Sequence, residues 1–122
     1  MPTKFLRAAS VLLTVTVFIQ TITAGLLLSS PTNGPLHSAG AYTVFVVAVL
    51  HLVVAILAWR PGGGSPGPIL YAAGFLVITS AQVALGIAHL TTLHVPLGAL
   101  MFGTSLLQLT RLWPTRASAA QM

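Results

Sequence analysis

Residues 36–61 read LHSAGAYTVFVVAVLHLVVAILAWRP, and this stretch predicts a helix that crosses a lipid bilayer. No Lys, Arg, Asp or Glu occurs between Leu36 and Trp59, and about 20 apolar helical residues suffice to span a bilayer core. The whole chain has the same character, since 56% of its 122 residues are hydrophobic and 4% are charged. Soluble domains carry roughly 25% charged residues. The sequence therefore predicts a membrane protein with a single transmembrane domain.

Three further apolar runs are long enough to cross a bilayer, so the predicted spans are 5–28, 37–59, 69–89 and 93–113. The first run follows Lys4 and Arg7 as a secretion signal would, but it is long and lacks a small-x-small cleavage site, so we interpret it as a retained span. The Gly- and Pro-rich connection RPGGGSPGP, residues 60–68, divides the chain into two hairpins. We expect an all-α, polytopic protein in which two similar hairpins form an antiparallel four-helix transmembrane bundle.

The basic residues predict the orientation, because short cytoplasmic segments of membrane proteins retain Lys and Arg. With four spans, all of them fall on one side of the membrane; they are Lys4, Arg7, Arg60, Arg111 and Arg116. We therefore expect a multi-pass protein of the bacterial inner (plasma) membrane with both termini in the cytoplasm. Trp59 and Trp113 close spans two and four on that side, as interfacial anchors do.

The composition excludes several kinds of chemistry. The chain has no Asp or Glu, so it cannot supply a carboxylate general base or an acidic Mg²⁺ or Ca²⁺ site. It has no Cys, which excludes disulfides, iron–sulfur clusters and covalent haem attachment. Its basic residues occur singly and not as a patch, so nucleic acid is not an expected partner.

The two hairpins share an order of features that indicates a weak internal repeat. Residues 18–28 read FIQTITAGLLL and residues 80–90 read SAQVALGIAHL; each precedes an outer turn, a Leu-His pair, a glycine and a closing tryptophan. The spacings differ by a residue, so chance similarity between apolar helices is the alternative. Hairpins related in this way would form a parallel membrane repeat.

His37 and His94 hold matching positions in this repeat and are the candidate metal ligands. Each lies in the first turn of an even-numbered span, after the helix-start residues Asn33 and Pro35 in one case and Thr91 or Thr92 in the other. Ionisable side chains inside a membrane are costly and are often functional, and neutral imidazole is a standard ligand of haem iron. We expect the two histidines to ligate one haem b near the outer surface; the alternative is a pair of interfacial histidines bonded to loop carbonyls.

Other polar and small residues cluster at the same depth. Four glycines would leave room for a porphyrin or allow close helix packing; they are Gly25, Gly40, Gly86 and Gly98. Gln20 and Gln82 would bond to the ligand imidazoles or make interhelical contacts. His89 would reach a haem propionate or water. The propionates would otherwise rely on uncharged side chains of the outer turns, namely Ser29, Ser30, Thr32, Asn33, Thr91 and Thr92.

His51 belongs to a different depth. It lies fourteen residues after His37, or about 21 Å further in on nearly the same helix face. It could ligate a second, inner haem, but span four offers only Ser105 and Gln108 at that level and no imidazole. We therefore expect a buried histidine bonded to a polar neighbour.

The pattern resembles one four-helix half of the haem A synthase family. The resemblance rests on QVALG at 82–86, LHVPLGAL at 93–100 and the matching Leu-His at 36–37, and it implies His37 and His94 as the haem ligands. Small bacterial four-helix membrane proteins with a histidine early in spans two and four look similar too. The synthase family also has a Glu near its second-helix histidine, an Arg after that motif and an outer-loop Cys pair. This chain has none of them, which argues against haem A synthesis by this chain alone.

The sequence leaves more than one function open. The favoured hypothesis is a haem b-binding, cytochrome b-like membrane protein that transfers electrons to or from a redox partner. The alternative is a non-catalytic accessory subunit of a larger respiratory or transport complex; a transporter is a weaker third, since no intramembrane charge pair marks a substrate path. Lipid is an expected partner in every case, and a homo-oligomer is a further possibility.

Overall fold

A computed structural model describes residues 2–113, and that part of the chain contains four α-helices and no strand. The helices are α1 (Pro2–Ser29), α2 (Gly34–Trp59), α3 (Gly67–Ile87) and α4 (Thr91–Leu112), with a 3₁₀ turn at Pro31–Asn33 between the first two. All four are long and apolar enough to cross a membrane. The prediction of an all-helical protein with four helices apolar enough to cross a membrane is confirmed. Arg116, one of the five basic residues in the orientation argument, lies outside the described residues.

The break between α1 and α2 is built differently from the expected one. The side-chain amide of Asn33 donates to the Leu26 carbonyl over 2.8 Å. It therefore bonds to the last turn of α1 and makes no cap bond at the start of α2. The start of α2 instead relies on a proline in its first turn, where a missing N–H costs little. At α4 the threonines also provide no cap, because the helix begins at Thr91 after Leu90 without a side-chain cap bond.

The link between α3 and α4 consists of three residues, Ala88 to Leu90. The third span was predicted to reach His89, but α3 ends at Ile87 because His89 adopts a left-handed conformation with φ 57°. The Leu90 N–H then donates back to the Leu85 carbonyl over 3.0 Å. A left-handed residue with this return bond is a common helix stop, usually made by glycine. This helix stop allows α4 to begin after a link of only three residues.

The helices pack in the order in which they follow one another along the chain. α1 contacts α2, α2 contacts α3, α3 contacts α4, and α4 closes on α1, while the backbones of the diagonal pairs lie further apart. The interior of this ring is largely apolar. One cluster of buried side chains joins all four helices and consists of Leu13, Val17, Val44, Val47, Ala48, Phe75 and Met101. A second contains Leu6, Ala55 and Ala72.

The outer faces of the helices are apolar as well. Leu28 and Leu70 are 79% and 81% exposed, and many other large apolar side chains face outward. Such surface would be unfavourable in water but matches lipid tails. The ring therefore has a packed interior and a lipid-compatible exterior.

One end of the bundle carries two arginine–tryptophan pairs. The Arg60 guanidinium lies 4.8 Å from the centre of the Trp59 ring, and that of Arg7 lies 5.1 Å from the centre of the Trp113 ring. Arg7 also donates through Nε to the Leu112 carbonyl over 2.8 Å, which satisfies a free carbonyl at the negative end of the α4 dipole. The two contacts of Arg7 join the beginning of α1 to the end of α4.

Candidate functional site

His94 lies near the start of α4, half-buried, and faces α3. Its Nδ1 is 3.0 Å from the main-chain carbonyl oxygen of Gln82. A carbonyl oxygen only accepts hydrogen bonds, so Nδ1 of the neutral ring must carry the proton. The lone pair of this imidazole is therefore on Nε2, as in histidines that ligate metals.

His37 lies near the start of α2, half-buried, and faces α1. Its Nδ1 is 2.9 Å from the Thr23 hydroxyl oxygen. The Thr23 hydroxyl lies 2.9 Å from the main-chain carbonyl of Gln20 and 2.8 Å from its side-chain oxygen, and both of these only accept. The Thr23 hydroxyl therefore donates its proton to Gln20 and can only accept from His37. Nδ1 of His37 must carry the proton in that bond, so the lone pair of this ring is also on Nε2.

Gln20 and Gln82 contact the main chain of the histidines. Gln20 donates through Nε2 to the His37 carbonyl over 2.8 Å, and Gln82 donates in the same way to the His94 carbonyl over 2.6 Å. Each bond joins the two helices of one hairpin at the level of its histidine. Neither side chain bonds to an imidazole; Thr23 and the Gln82 main chain do so instead. The matching contacts extend the repeat from sequence to geometry.

The two imidazoles meet in the interior of the ring. Their centres are 6.0 Å apart and their planes are inclined by 79°. Metal–imidazole bonds are about 2.0 Å long, so two rings on opposite sides of one metal ion have centres about 6.4 Å apart. Two rings that share such an axis can have any angle between their planes. The observed separation is therefore close to that of two axial ligands.

A cavity of ≈ 380 Å³ adjoins both histidines, which lies in the range of small-molecule sites, about 300–1,000 Å³. All four helices line it, mainly with small and apolar side chains that include Val17, Ala24, Val44 and Met101. Thr79, which is buried and donates to its own helix at the Phe75 carbonyl, is also part of the lining.

The four candidate glycines have three different environments. A Cβ on Gly40 would overlap the side-chain oxygen of Gln20, and one on Gly98 would lie 2.9 Å from Nε2 of Gln82. The absence of a side chain at these two glycines therefore leaves room for the side chains of Gln20 and Gln82. A Cβ on Gly86 would lie 3.1 Å from Cε1 of His94, whereas one on Gly25 would meet nothing within 4 Å. Gly25 and Gly98 line the cavity.

The side-chain oxygen of Gln82 is buried and has no hydrogen-bond partner. Its counterpart on Gln20 accepts from Thr23. The position equivalent to Thr23, three residues after Gln82, is Leu85, which has no donor. The second hairpin thus leaves an unpaired acceptor beside the cavity.

His89 and His51 lie away from this group. His89 is exposed in the link between α3 and α4 and does not line the cavity. His51 is 1% exposed, and its Nε2 is 3.1 Å from the Ser10 hydroxyl. The expectation that His51 is buried and bonded to a polar neighbour is confirmed.

Thr23 is the contact that sequence reasoning missed. It lies three residues after Gln20, one helical turn further along, and this spacing is the signal that could have identified it. Among residues 2–113, no group of three or more His, Cys, Asp or Glu side chains could hold a metal ion. No family model, curated protein or solved structure matches the chain.

Proposed function

We propose that the chain is a membrane cytochrome-like protein that binds one b-type haem, with His37 and His94 as the two axial ligands. The observation that carries the proposal is the pairing of the two imidazoles at 6.0 Å, with hydrogen bonds that leave the lone pair of both on Nε2. Haem iron with two neutral imidazole ligands supports one-electron transfer.

The residues around the two histidines fit this cofactor. Thr23 and the Gln82 carbonyl orient the rings and hold Nδ1 protonated, which raises the basicity of Nε2. The apolar lining, with Val17, Val44 and Met101, would exclude water from the porphyrin. The propionates would face the turns that join the helices of each hairpin, where uncharged polar side chains and the exposed His89 are available.

We also propose that the hairpins are antiparallel in the bilayer, with both termini and the 60–68 connection in the cytoplasm. Contacts that support this arrangement are Gln20 to His37 at one end of α1 and Ser10 to His51 further toward its beginning. The described basic residues cluster at helix ends on a single side under this topology; they are Lys4, Arg7, Arg60 and Arg111. Cysteine introduced at Asn33 should react with an impermeant external reagent, and cysteine at Ser65 should not. Equal labelling would exclude the topology.

The resemblance to one half of a haem A synthase belongs to the same proposal. The matching glutamine-to-histidine contacts in the two hairpins support it. The chain would then be a single haem-bearing unit in the inner (plasma) membrane of a bacterium, exchanging electrons with a redox partner or a larger membrane complex.

Visible spectroscopy of the purified protein tests the haem proposal. The wild type, produced with haem supplied, should show the sharp reduced α and β bands of a low-spin bis-imidazole haem. His37→Ala and His94→Ala should each give five-coordinate or lost haem. His51→Gln is the matched control, because its ring bonds to Ser10 and lies outside the cavity lining, and it should retain the spectrum of the wild type. A wild type without haem, as expected of an accessory subunit, or unchanged spectra in both ligand variants would refute the proposal.

A further inference from the structure

A second group of buried polar side chains lies in the half of the bundle away from the paired histidines. It includes residues from all four helices: Ser10 and Thr14 from α1, His51 from α2, the partly buried Tyr71 from α3, and Ser105 and Gln108 from α4. His51 is 1% exposed and Ser105 is 2% exposed. So many polar groups in a membrane interior require hydrogen-bond partners, because lipid supplies none.

The serine and threonine hydroxyls of this cluster find such partners. Thr14 donates to the Ser10 carbonyl over 3.0 Å, and Ser105 donates to the Phe102 carbonyl over 2.7 Å. The Ser10 hydroxyl is 3.1 Å from Nε2 of His51. These bonds leave the hydroxyls paired within the protein.

Two buried atoms remain without a hydrogen-bond partner: Nδ1 of His51 and the phenolic oxygen of Tyr71. The Thr104 hydroxyl lies near the phenol but donates to the Met101 carbonyl over 3.0 Å. Both belong to the same contact, since the two rings meet edge to face with centres 5.8 Å apart and planes inclined by 78°. Neither atom bonds to the other. A buried polar group without a partner is costly and in native proteins often marks a bound water.

We propose that His51 and Tyr71 hold one water molecule between Nδ1 and the phenolic oxygen. A phenol can donate to the water, and the water can donate to an imidazole lone pair, while Ser10 accepts from Nε2–H. One molecule then satisfies both unpaired atoms. Two or more polar partners are what an internal water needs.

The same arrangement uses the neutral form of His51. Tyr71 is the titratable side chain that α3 places against it. The basic residues at this end are Lys4 and Arg7 on α1, Arg60 directly after α2 and Arg111 on α4, and the chain has no Asp or Glu to balance a charged imidazole. A water bridge joins Ser10, His51 and Tyr71 into one neutral hydrogen-bonded chain that spans α1, α2 and α3.

Solid-state NMR of histidine-¹⁵N-labelled protein in bilayers tests the water directly. His51→Gln identifies the His51 signal among the four histidines. Magnetisation should pass rapidly from water protons to the His51 ring despite its burial, and Tyr71→Phe should largely abolish this transfer while leaving that of the exposed His89 unchanged. Absence of transfer in the wild type, or equal transfer in Tyr71→Phe, would overturn the proposal.

Thermal unfolding gives a second test with a predicted sign. If the water is present, Tyr71→Phe removes one of its partners and lowers the unfolding midpoint. If the phenol has no partner at all, its removal leaves the midpoint unchanged or raises it, which would contradict the bridge. Tyr42→Phe is the control, because Tyr42 is 67% exposed. Both experiments use the protein with or without haem, so their outcome does not depend on the proposed function.

Discussion

Replacing Gly40 with alanine should dislodge Gln20 from its place beside His37. The new Cβ would overlap the side-chain oxygen of Gln20 and approach its Cδ to 2.9 Å. The glutamine would have to rotate away and lose two hydrogen bonds: the one to the His37 carbonyl, 2.8 Å long, and the one from Thr23, also 2.8 Å long. Thr23 would keep its bond to the Gln20 main chain, so the His37 tautomer should persist.

Hydrogen bonds between membrane helices average about 0.6 kcal/mol, so the loss of two should cost about 1.2 kcal/mol. Alanine is also a better helix former than glycine, by up to about 1 kcal/mol, and this gain would mask the cost. Gly74→Ala provides the correction, because Gly74 lies inside α3 and a Cβ there meets nothing within 4 Å. The difference between the two variants therefore isolates the displacement of Gln20.

The measurement is the free energy of unfolding of both variants in bicelles. We expect Gly40→Ala to be less stable than Gly74→Ala by about 1.2 kcal/mol. Equal stabilities would show that Gln20 is not held against Gly40, and the description of this hairpin would have to be changed.

Two further substitutions test the contacts that distinguish the hairpins. Thr23→Val should remove the acceptor for Nδ1–H of His37 and leave a mixture of imidazole tautomers in ¹⁵N spectra of the haem-free protein. Thr23→Ser retains the hydroxyl and should keep the single tautomer. If the valine variant also keeps the single tautomer, Thr23 does not fix the ring. Leu85→Thr should supply a hydroxyl donor for the unpaired oxygen of Gln82. Leu85→Val is the control, because valine has the shape of threonine without the hydroxyl, and the threonine variant should have the larger free energy of unfolding by about 0.6 kcal/mol. Equal stabilities would show that this oxygen does not lie within reach of position 85.

The helices were predictable from the sequence because each apolar run is uninterrupted by charge, and lipid leaves a backbone little choice but helix. The meeting of His37 and His94 followed from their matched positions, whereas their binding of haem stays a prediction. Three details were out of reach. The left-handed helix stop falls on His89, at a position where glycine is usual. The Asn33 side chain acts on the helix before it, and the bond between Thr23 and His37 depends on the rotation of α1 relative to α2.

The contact of Arg7 with Leu112 has a consequence for the order of assembly. The two residues are 105 positions apart, so the interface between α1 and α4 cannot form until the last helix has been synthesised. Each of the other interfaces joins helices that follow one another along the chain. α4 also has the lowest mean hydropathy of the four, 1.2 against 1.8 to 2.5, so docking contributes more to its retention in the bilayer. Until α4 docks, the ring stays open between α1 and α4.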